Sequence, residues 1–377
     1  MKVAVAAETD AGEPRVAATP ETVKKMIGLG ADVAVEPGAG MKSGILDADY
    51  AAAGAAVARD ALSGADVVLK VRRPNSVELA QLKKGAMVIA IMDPFGNETA
   101  LRAMAEAGVV AFAMELLPRI TRAQAMDVLS SQANLAGYRA VIDAAAEFGR
   151  ALPMMMTAAG TVPATKVFVM GAGVAGLQAI ATARRLGAIV TATDVRPAAK
   201  EQVESLGAKF VAVEDEEFKA AETAGGYAKE MSKEYQQKQA ALVAEHVKKQ
   251  DIVITTALIP GRPAPRLISA DMVASMRPGS VIVDLAVERG GNVEGVRADA
   301  VSEENNVKII GYRNLAGRLA ATASSLYAKN LYAFLELLID KKTKSLSINW
   351  DDDIIKATAL TRDGAIVHPN FKPKDAA

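Results

Sequence analysis

The sequence predicts an α/β protein built from two doubly wound parallel-sheet domains. Its 377 residues exceed one ordinary core, because domains average roughly 150 residues. Short apolar runs alternate with longer helix-like segments and glycine-rich turns, a pattern typical of parallel sheets covered by helices. The runs are strongly apolar throughout, as strands buried on both faces must be.

Five apolar runs predict the strands of a first unit, which ends near residue 118. They are residues 2–8, 32–38, 66–71, 85–92 and 108–115. Residues 131–153 then predict a long helix that is stopped by Pro153 and connects this unit to a second one.

The second unit begins with the strand "KVFVM" at residue 166 and continues through further apolar strands. These include residues 209–213, 251–258, 280–286 and 307–312. Residues 318–340 predict another long helix, and residues 345–367 predict a short hairpin or edge strands. We assign this tail to the first unit. The predicted domains are therefore residues 1–133 with 315–377, and residues 134–314.

Composition limits the classes of partner. Lysine plus arginine and aspartate plus glutamate both number 44, so no overall charge attracts nucleic acid or an anionic membrane. The start of the chain lacks the apolar core of a signal peptide, and no run of about 18 apolar residues predicts a membrane span. We expect a cytoplasmic chain that binds no nucleic acid and does not insert into a membrane.

Few side chains are available for metal binding or covalent catalysis. The absence of cysteine excludes disulfides, thiolate metal sites and cysteine nucleophiles. The two histidines, His246 and His368, fall in a predicted exposed helix and a C-terminal turn, far apart in the sequence. We therefore expect no metal site and no histidine-based catalytic triad.

A glycine-rich motif follows the first strand of the second unit. Gly171, Gly173 and Gly176 form a G-x-G-x-x-G motif between "KVFVM" and the predicted helix "LQAIATARRLG". The first glycine allows a tight turn, the second lets backbone approach a pyrophosphate, and the third allows close helix–strand packing. This context predicts a Rossmann-like dinucleotide-binding domain.

An acidic residue refines the predicted ligand. Asp194 ends the next strand, 18 residues after Gly176, where a carboxylate accepts hydrogen bonds from the adenosine ribose and repels a 2′-phosphate. A glycine turn that serves packing alone would not explain this aspartate, so the sequence favours NAD(H) over NADP(H). Arg196 complicates the choice, because an arginine can accommodate a 2′-phosphate. We interpret it as flanking the adenosine half or as solvated.

Two further segments are candidates for contact with the nucleotide. Leu258 lies in "TTALIPG", residues 255–261, where it would pack near the nicotinamide half; a plain turn is the alternative. Residues 214–239 form a long charged segment with Gly226 and Tyr227 near its centre. Such a segment is either a mobile lid over the nucleotide or a solvated surface helix.

An ordinary dehydrogenase needs an acid/base residue, usually histidine or lysine, beside the nicotinamide, and neither histidine of this chain is suitably placed. Over essentially its whole length, however, the chain resembles the NAD(H)-binding component of the proton-translocating NAD(P) transhydrogenase family. Stretches that carry the resemblance are "AMELLPRITRAQAMDVLSSQANLAGYRAV", "MMMTAAGTVPATKV", "GAGVAGLQAIATARRLGA", "AETAGGYAKEM" and "TRDGAIVHP".

The resemblance implies which residues meet the nucleotide. Arg119, Gln124 and Asp127 match a loop that lies over the nicotinamide half, with Ser130 one turn further on. We expect Arg119 to hold the amide or pyrophosphate, Gln124 to bridge to a ribose hydroxyl, and Asp127 to hold Arg119 or a ribose. The alternative is a helix start with solvated charges. By the same resemblance, Gly226 and Tyr227 match a loop that closes on NAD(H), and lesser nucleotide contacts are Val174, Val195 and Gln239.

The resemblance also implies the reaction and the partners. Hydride passes directly from NADH to NADP⁺ held by a separate subunit, so no general acid or base is needed and positioning is the main catalytic task. NADP(H)-binding and membrane-spanning subunits complete the enzyme and couple the reaction to proton translocation. We expect a homodimer attached through these partners to the cytoplasmic face of the membrane.

Two other functions stay open from the sequence. The chain also resembles alanine dehydrogenase, whose substrate-binding arginine and lysine match Arg15 and Lys70. The catalytic histidine of that enzyme falls near Met92, which cannot carry a proton, so Arg15 and Lys70 are structural remnants or hold the interdomain region. A non-catalytic NAD-binding regulatory subunit is the second alternative; intact Arg119, Gln124 and Asp127 argue against it.

Overall fold

The computed structural model describes residues 1–219 and 231–372. The chain divides into two compact units, Met1–Gln132 with the described residues from Ala316 onward, and Ala133–Leu315. Within the described part of the chain, one unit contains an eight-stranded sheet and the other a seven-stranded sheet. The predicted α/β class with two Rossmann-like, doubly wound sheets is confirmed.

Six parallel strands form most of the sheet in the first unit. They are β1 (Lys2–Val5), β2 (Asp32–Val35), β3 (Ala56–Val57), β4 (Val67–Arg72), β5 (Met87–Ile91) and β6 (Val110–Ala113). Their spatial order is β3-β2-β1-β4-β5-β6, which is the order of dinucleotide-binding domains. The order reverses between β1 and β4.

Helices cover both faces of this sheet. They are α1 (Pro20–Gly28), α2 (Asp47–Ala52), α3 (Ser76–Leu79) and α4 (Glu98–Glu106). Helix α1 begins with a capping box, in which the side chains of Thr19 and Thr22 each accept a hydrogen bond from the other residue's backbone N–H. Successive residues of β1 enter different apolar clusters, Val3 on one face and Ala4 on the other. The sheet is therefore buried on both sides.

A long helix, α5 (Val128–Glu147), carries the chain from the first unit into the second. It begins and ends earlier than the predicted helix over residues 131–153. Phe148 is buried in the second unit's core and Gly149 is a poor helix former, so the helix ends before Pro153 is reached. A two-stranded hairpin that the sequence did not predict follows, β7 (Met155–Thr157) with β8 (Gly160–Val162).

The second unit contains the seven-stranded sheet. Its strands are β9 (Lys166–Met170), β10 (Ile189–Thr193), β11 (Lys209–Phe210), β12 (Ile252–Thr255), β13 (Val281–Asp284), β14 (Val301–Glu304) and β15 (Val307–Ile310). Their order is β11-β10-β9-β12-β13-β15-β14, and only the edge pair β14 with β15 is antiparallel in the described residues. The order reverses between β9 and β12, directly beyond the glycine-rich motif.

Five helices accompany these strands in the described residues. They are α6 (Val174–Arg185), α7 (Ala199–Ser205), α8 (Glu216–Lys219), α9 (Lys233–Val247) and α10 (Ala270–Ser275). Apolar clusters lie on both faces of the sheet, with Val167 in one and Phe168 in the other. This alternation gives the second unit the same two-sided burial as the first.

The C-terminal segment completes the first unit. It consists of α11 (Ala320–Leu337), β16 (Ile339–Asp340), β17 (Ser345–Leu346), α12 (Asp353–Thr358), β18 (Ala359–Arg362) and β19 (Ala365–Ile366). Strand β18 pairs antiparallel with β6, so the predicted edge strands are present. Helix α12 was missed; the Asp352 side chain caps it by accepting from the N–H of Ile354 at 2.8 Å. No helix within residues 1–219 and 231–372 is long and apolar enough to cross a membrane.

Candidate functional site

The glycine-rich loop of the second unit has three different steric requirements. A Cβ on Gly176 would lie 1.8 Å from the carbonyl oxygen of Gly171, and one on Gly171, where φ is +105°, would lie 2.5 Å from Thr256 Oγ1. A Cβ on Gly173 would meet no atom within 4 Å. Packing therefore explains two of the glycines. Gly173 caps α6 and leaves open space at the helix N-terminus, the kind of position at which phosphate groups commonly bind.

Asp194 lies against this loop, just beyond β10. Its Oδ2 accepts a hydrogen bond from the Ala172 N–H at 2.7 Å, and its side chain is 7% exposed. Arg196 binds the same carboxylate through its backbone N–H and its guanidinium, with Nε 2.9 Å from Oδ1. The arginine is therefore ion-paired although its side chain is still 30% exposed, and its place beside the adenosine half stays a prediction.

Exposed apolar side chains follow the carboxyl ends of three neighbouring strands. Val174 is 40% exposed, Val195 54% and Leu258 53%. These residues come after β9, β10 and β12, whose carboxyl ends share one edge of the parallel sheet. Apolar surface beside a phosphate-binding loop suits the flat rings of a dinucleotide.

Asn292 fixes the loop that presents Leu258, and sequence reasoning missed it. Its Oδ1 accepts from the Ala257 N–H at 3.0 Å, and its Nδ2 donates to the carbonyl oxygens of Ala257 at 2.9 Å and Pro265 at 2.8 Å. The residue is fully buried. A lone asparagine in "GGNVE" gave no signal for this contact, because its partner precedes it by 35 residues.

The predicted lid is only partly described. Gly226 and Tyr227 lie outside the described residues. Gln239 joins α9 to the end of β10, because its Oε1 accepts from the Val213 N–H at 2.9 Å and its Nε2 donates to Thr193 Oγ1 at 3.1 Å. Its amide thus stabilises the strand end next to Asp194.

The loop with Arg119, Gln124 and Asp127 belongs to the first unit. A 3-10 helix spans Thr121–Met126 and leads into α5. Arg119 and Gln124 are exposed. Asp127 is half-buried and accepts from Ser130 twice, from the N–H at 2.9 Å and from Oγ at 2.5 Å. It therefore caps the start of α5, a role that the sequence analysis did not assign to it.

Two distant residues anchor this loop. Asn330 on α11 donates to the Ala125 carbonyl oxygen at 2.8 Å and accepts from Ser131 Oγ at 2.7 Å. Arg122 forms a two-pronged ion pair with Asp352, at 2.6 and 3.1 Å. The loop is thus held from both sides, so that its exposed side chains project from a fixed backbone.

The two histidines are structural. His246 is half-buried, packs edge-on against Phe168 with ring centroids 4.7 Å apart, and shares a hydrogen bond with Thr191 Oγ1. Burial, together with nearby lysines, lowers its pKa. His368 is 6% exposed. The prediction of an exposed helix for His246 is therefore only partly right, because the ring turns inward. Within the described residues no cluster of potential metal ligands is present.

Arg15 is buried in the first unit, with 4% of its surface exposed. Glu13 binds it with both oxygens, at 2.7 Å to Nε and 2.7 Å to Nη2, and Gln132 accepts from Nη1 at 2.8 Å. Burial alone would raise the pKa of Glu13, but the hydrogen bonds and charge of Arg15 and the charge of Arg72 outweigh it and hold the pKa below its usual value. Arg15 is therefore part of an internal ion network.

Lys70 is neutralised in the same way. Its Nζ lies 2.7 Å from Glu78 and 3.5 Å from Glu8, and its side chain is 1% exposed. Burial raises the pKa of Glu8, although the charge of Lys70 opposes the shift. Met92 is fully buried in an apolar cluster, with its N–H bonded to Glu115 at 2.8 Å. The position where alanine dehydrogenase would need a histidine thus holds a core side chain.

The fold and the phosphate loop define a Rossmann-type protein of the NAD(P)-binding oxidoreductase class. Residues 4–136 match the family described as Alanine dehydrogenase/PNT, N-terminal domain, and residues 140–369 match the corresponding C-terminal domain. The chain belongs to this family.

Its relatives place it among the transhydrogenases of that family. It is 56% identical to the first of the polypeptides that make up the alpha subunit of NAD(P) transhydrogenase in Rhodospirillum rubrum, with 98% of each chain covered. It is similar to the structure of transhydrogenase from Sinorhizobium meliloti, with a TM-score of 0.90 and 64% identity over 97% of this chain and 100% of that one. Alanine dehydrogenase of Halomonas elongata is more distant, at 30% identity over 98% of this chain and 95% of its own. The resemblance to the transhydrogenase family is thereby confirmed.

Proposed function

We propose that this protein is the NAD(H)-binding component of a proton-translocating NAD(P) transhydrogenase. The observation that carries the proposal is Asp194, a carboxylate bonded to the phosphate loop at the end of β10. A carboxylate at this place accepts from the adenosine ribose and repels a 2′-phosphate, which favours NAD(H) here and leaves NADP(H) to a partner subunit.

The proposed reaction is direct hydride transfer. The hydride leaves C4 of the dihydronicotinamide of NADH and bonds to C4 of NADP⁺, so that NADH and NADP⁺ become NAD⁺ and NADPH with no proton exchanged. The absence of a proton donor at Met92 fits this chemistry, since its side chain lies in an apolar cluster. Arg119, Gln124 and Asp127 would orient the donor ring, and Ser130 would support Asp127.

Nucleotide contacts in the second unit follow from its geometry. The open space at Gly173 would receive the pyrophosphate, and the exposed side chains of Val174, Val195 and Leu258 would pack on the ring systems. Gly171, Gly176 and Gln239 would hold the surrounding backbone. We further propose the two units as the two domains, and residues 214–239 with Gly226 and Tyr227 as a loop that closes on the nucleotide.

We also propose a homodimer. The hairpin β7–β8 and the residue before it expose three apolar side chains, Met154 at 63%, Met155 at 42% and Met156 at 80%. Exposed apolar clusters of this kind mark contact surfaces, and a second copy of the chain would cover this one. Partner subunits that bind NADP(H) and span the membrane would attach the dimer to the cytoplasmic face and couple hydride transfer to proton movement.

A mixing experiment tests the proposed function. The purified chain is assayed for reduction of the acetylpyridine analogue of NAD⁺ by NADPH, alone and with the NADP(H)-binding component. A parallel sample contains NADH, pyruvate and ammonia. Activity in the mixture only is the expected result. Turnover of pyruvate and ammonia by the chain alone would assign it to alanine dehydrogenase, and nucleotide binding without turnover in any mixture would indicate a regulatory subunit.

A further inference from the structure

The Asp194 carboxylate has no acceptor position to spare. Oδ1 accepts from the Arg196 N–H at 2.8 Å and from Nε at 2.9 Å, while Oδ2 accepts from Nη2 at 3.0 Å and from the Ala172 N–H at 2.7 Å. An ionised carboxylate offers about four acceptor positions. A ribose hydroxyl can therefore bond to Asp194 only if one of these donors leaves.

The guanidinium of Arg196 is the donor that can leave. The Ala172 N–H belongs to the glycine loop, whose backbone is fixed by the close approach of Gly176 to Gly171. The N–H of Arg196 is also backbone and is only two residues from Asp194. The guanidinium, by contrast, ends a long side chain that is 30% exposed, although its Nη2 also donates to the Ala172 carbonyl oxygen at 3.3 Å, a bond that must break as well. Ribose hydroxyls would thus replace Nε and Nη2, and the displaced guanidinium would lie beside the ribose.

From this geometry we propose that Arg196 is a specificity-determining residue of the nucleotide site. The proposal rests on the proposed NAD(H) function and extends it. A guanidinium beside the ribose binds a 2′-phosphate through paired hydrogen bonds, whereas Asp194 repels that phosphate. Asp194 therefore rejects NADP(H) in two ways: its charge repels the 2′-phosphate, and it keeps Arg196 because a phosphorylated ribose has no free 2′-hydroxyl to displace the guanidinium. Without the carboxylate, Arg196 binds the 2′-phosphate.

Four forms of the full chain separate these effects. Binding of NADH and NADPH is measured by nucleotide fluorescence for the unaltered protein, Asp194→Asn, Asp194→Asn with Arg196→Gln, and Asp194→Asn with Lys200→Gln. Lys200 is the control, because it is a nearby cation that pairs with Glu214 at 2.6 Å instead of Asp194. Asparagine retains an oxygen for the Ala172 N–H, and circular dichroism checks that each variant is folded.

The unaltered protein should bind NADH and reject NADPH. Asp194→Asn should bind NADPH at least about tenfold more tightly than the unaltered protein does, since a charge repulsion is lost and a charge-assisted contact is gained. Adding Arg196→Gln should abolish this gain, and adding Lys200→Gln should leave most of it.

Three results would overturn the proposal. The first is a folded Asp194→Asn protein that binds NADPH no more tightly than the unaltered protein does. The second is tighter NADPH binding that persists when Arg196→Gln is added. The third is an equal loss of NADPH affinity when Lys200→Gln is added instead, which would indicate an effect of general charge only. If Asp194→Asn does not fold, Asp194→Ser replaces it in the same four-protein comparison, and no tighter NADPH binding by Asp194→Ser, or tighter binding that survives Arg196→Gln, would contradict the proposal. If the unaltered protein does not bind NADH, the proposed NAD(H)-binding function is itself contradicted, and the proposal for Arg196 fails because it depends on that function.

Discussion

Asp127 caps helix α5 through Ser130, which donates to it from both its backbone N–H and its hydroxyl. The residue proposed to orient the nicotinamide ring is thus also a structural residue of the helix that leads out of its loop. Its two roles require different properties of the side chain. Capping needs an acceptor oxygen, whereas holding a guanidinium or orienting a polar ring also needs the negative charge.

Substitution of Asp127 should separate capping from catalysis. Asp127→Ala removes the acceptor and should lower the free energy of unfolding by about 1 kcal/mol, as the loss of a helix cap does. Asp127→Asn keeps an acceptor, so its stability should stay close to that of the unaltered protein while the rate of hydride transfer falls. Denaturant unfolding followed by circular dichroism and steady-state assays with the partner component measure the two effects. Full activity of Asp127→Asn would reduce the role of Asp127 to capping.

The glycine loop offers a matched pair of substitutions. Gly173→Ala should fold normally, because its Cβ meets no atom within 4 Å and its φ of −76° suits alanine, yet it should weaken NADH binding by blocking the pyrophosphate. Gly176→Ala should destabilise the second unit, because its Cβ would lie 1.8 Å from a carbonyl oxygen. Thermal unfolding and NADH titration are measured for both. Normal NADH binding by Gly173→Ala would favour a glycine loop that serves packing alone.

The ion pair of Glu13 with Arg15 should make the first unit sensitive to acid. Glu13→Gln leaves the buried Arg15 without its counter-charge and should cost roughly 3 kcal/mol at neutral pH. The pKa of Glu13 is lower in the folded state than in the unfolded chain, where it is about 4.3. The stability that the Glu13–Arg15 ion pair contributes is therefore complete above the pKa of Glu13 in the unfolded chain. It is lost as the pH falls through the lower pKa of Glu13 in the folded protein. The stability difference between the two proteins should shrink over that range.

Fluorescence of Trp350 can follow this unfolding, because it is the chain's single tryptophan and stacks on Phe112 in the first unit. Glu21→Gln is the control, since Glu21 forms an exposed ion pair with Lys25 and should change stability little. A stability difference for Glu13→Gln that does not vary between neutral and acid pH would contradict this account of the ion pair.

The exposed hairpin gives a test of the proposed dimer. Replacing Met154 and Met156 together by serine removes most of the apolar surface that a second copy would cover, and should shift the protein toward monomer in sedimentation velocity. NADH binding should persist in the monomer. Met41→Ser is the control, because Met41 is 56% exposed at a different site. A double variant as dimeric as the unaltered protein would exclude the hairpin as the contact surface.

Local patterns were enough to predict the strand–loop–helix unit around Gly171, because the strand, the glycine spacing and the helix all lie in one continuous stretch of sequence, residues 166–185. The close approach of Thr256 to Gly171 was not predicted. The edge strands β18 and β19 of the tail were also predicted, although helix α12 directly before them was missed despite the capping Asp352. A short helix next to strand-like residues gives too weak a periodic pattern to be recognised.

Contacts between distant residues could not be predicted. Asn330 binds the loop of Gln124 across more than 200 residues of sequence, and a single sequence contains no information on such pairs. The ion networks of Arg15 and Lys70 were missed for a different reason. Their partners Glu13 and Glu78 are close in sequence, but they look like ordinary surface glutamates until the fold buries them. The roles of Arg119, Gln124 and Asp127 in the chemistry stay predictions from residue identity, whereas the neighbours that hold their loop could be found only from the tertiary fold.

Direct hydride transfer is tested best by isotopic labelling. NADH that carries deuterium at both C4 positions is incubated with NADP⁺, the purified chain and the NADP(H)-binding component in ordinary water, and the NADPH formed is analysed by mass spectrometry. We predict that each NADPH molecule contains one deuterium, because the hydride passes from C4 to C4 without exchange. NADPH without deuterium would show that its hydrogen came from solvent or a protein group, and would contradict the account of this site as one that positions a donor and moves no proton.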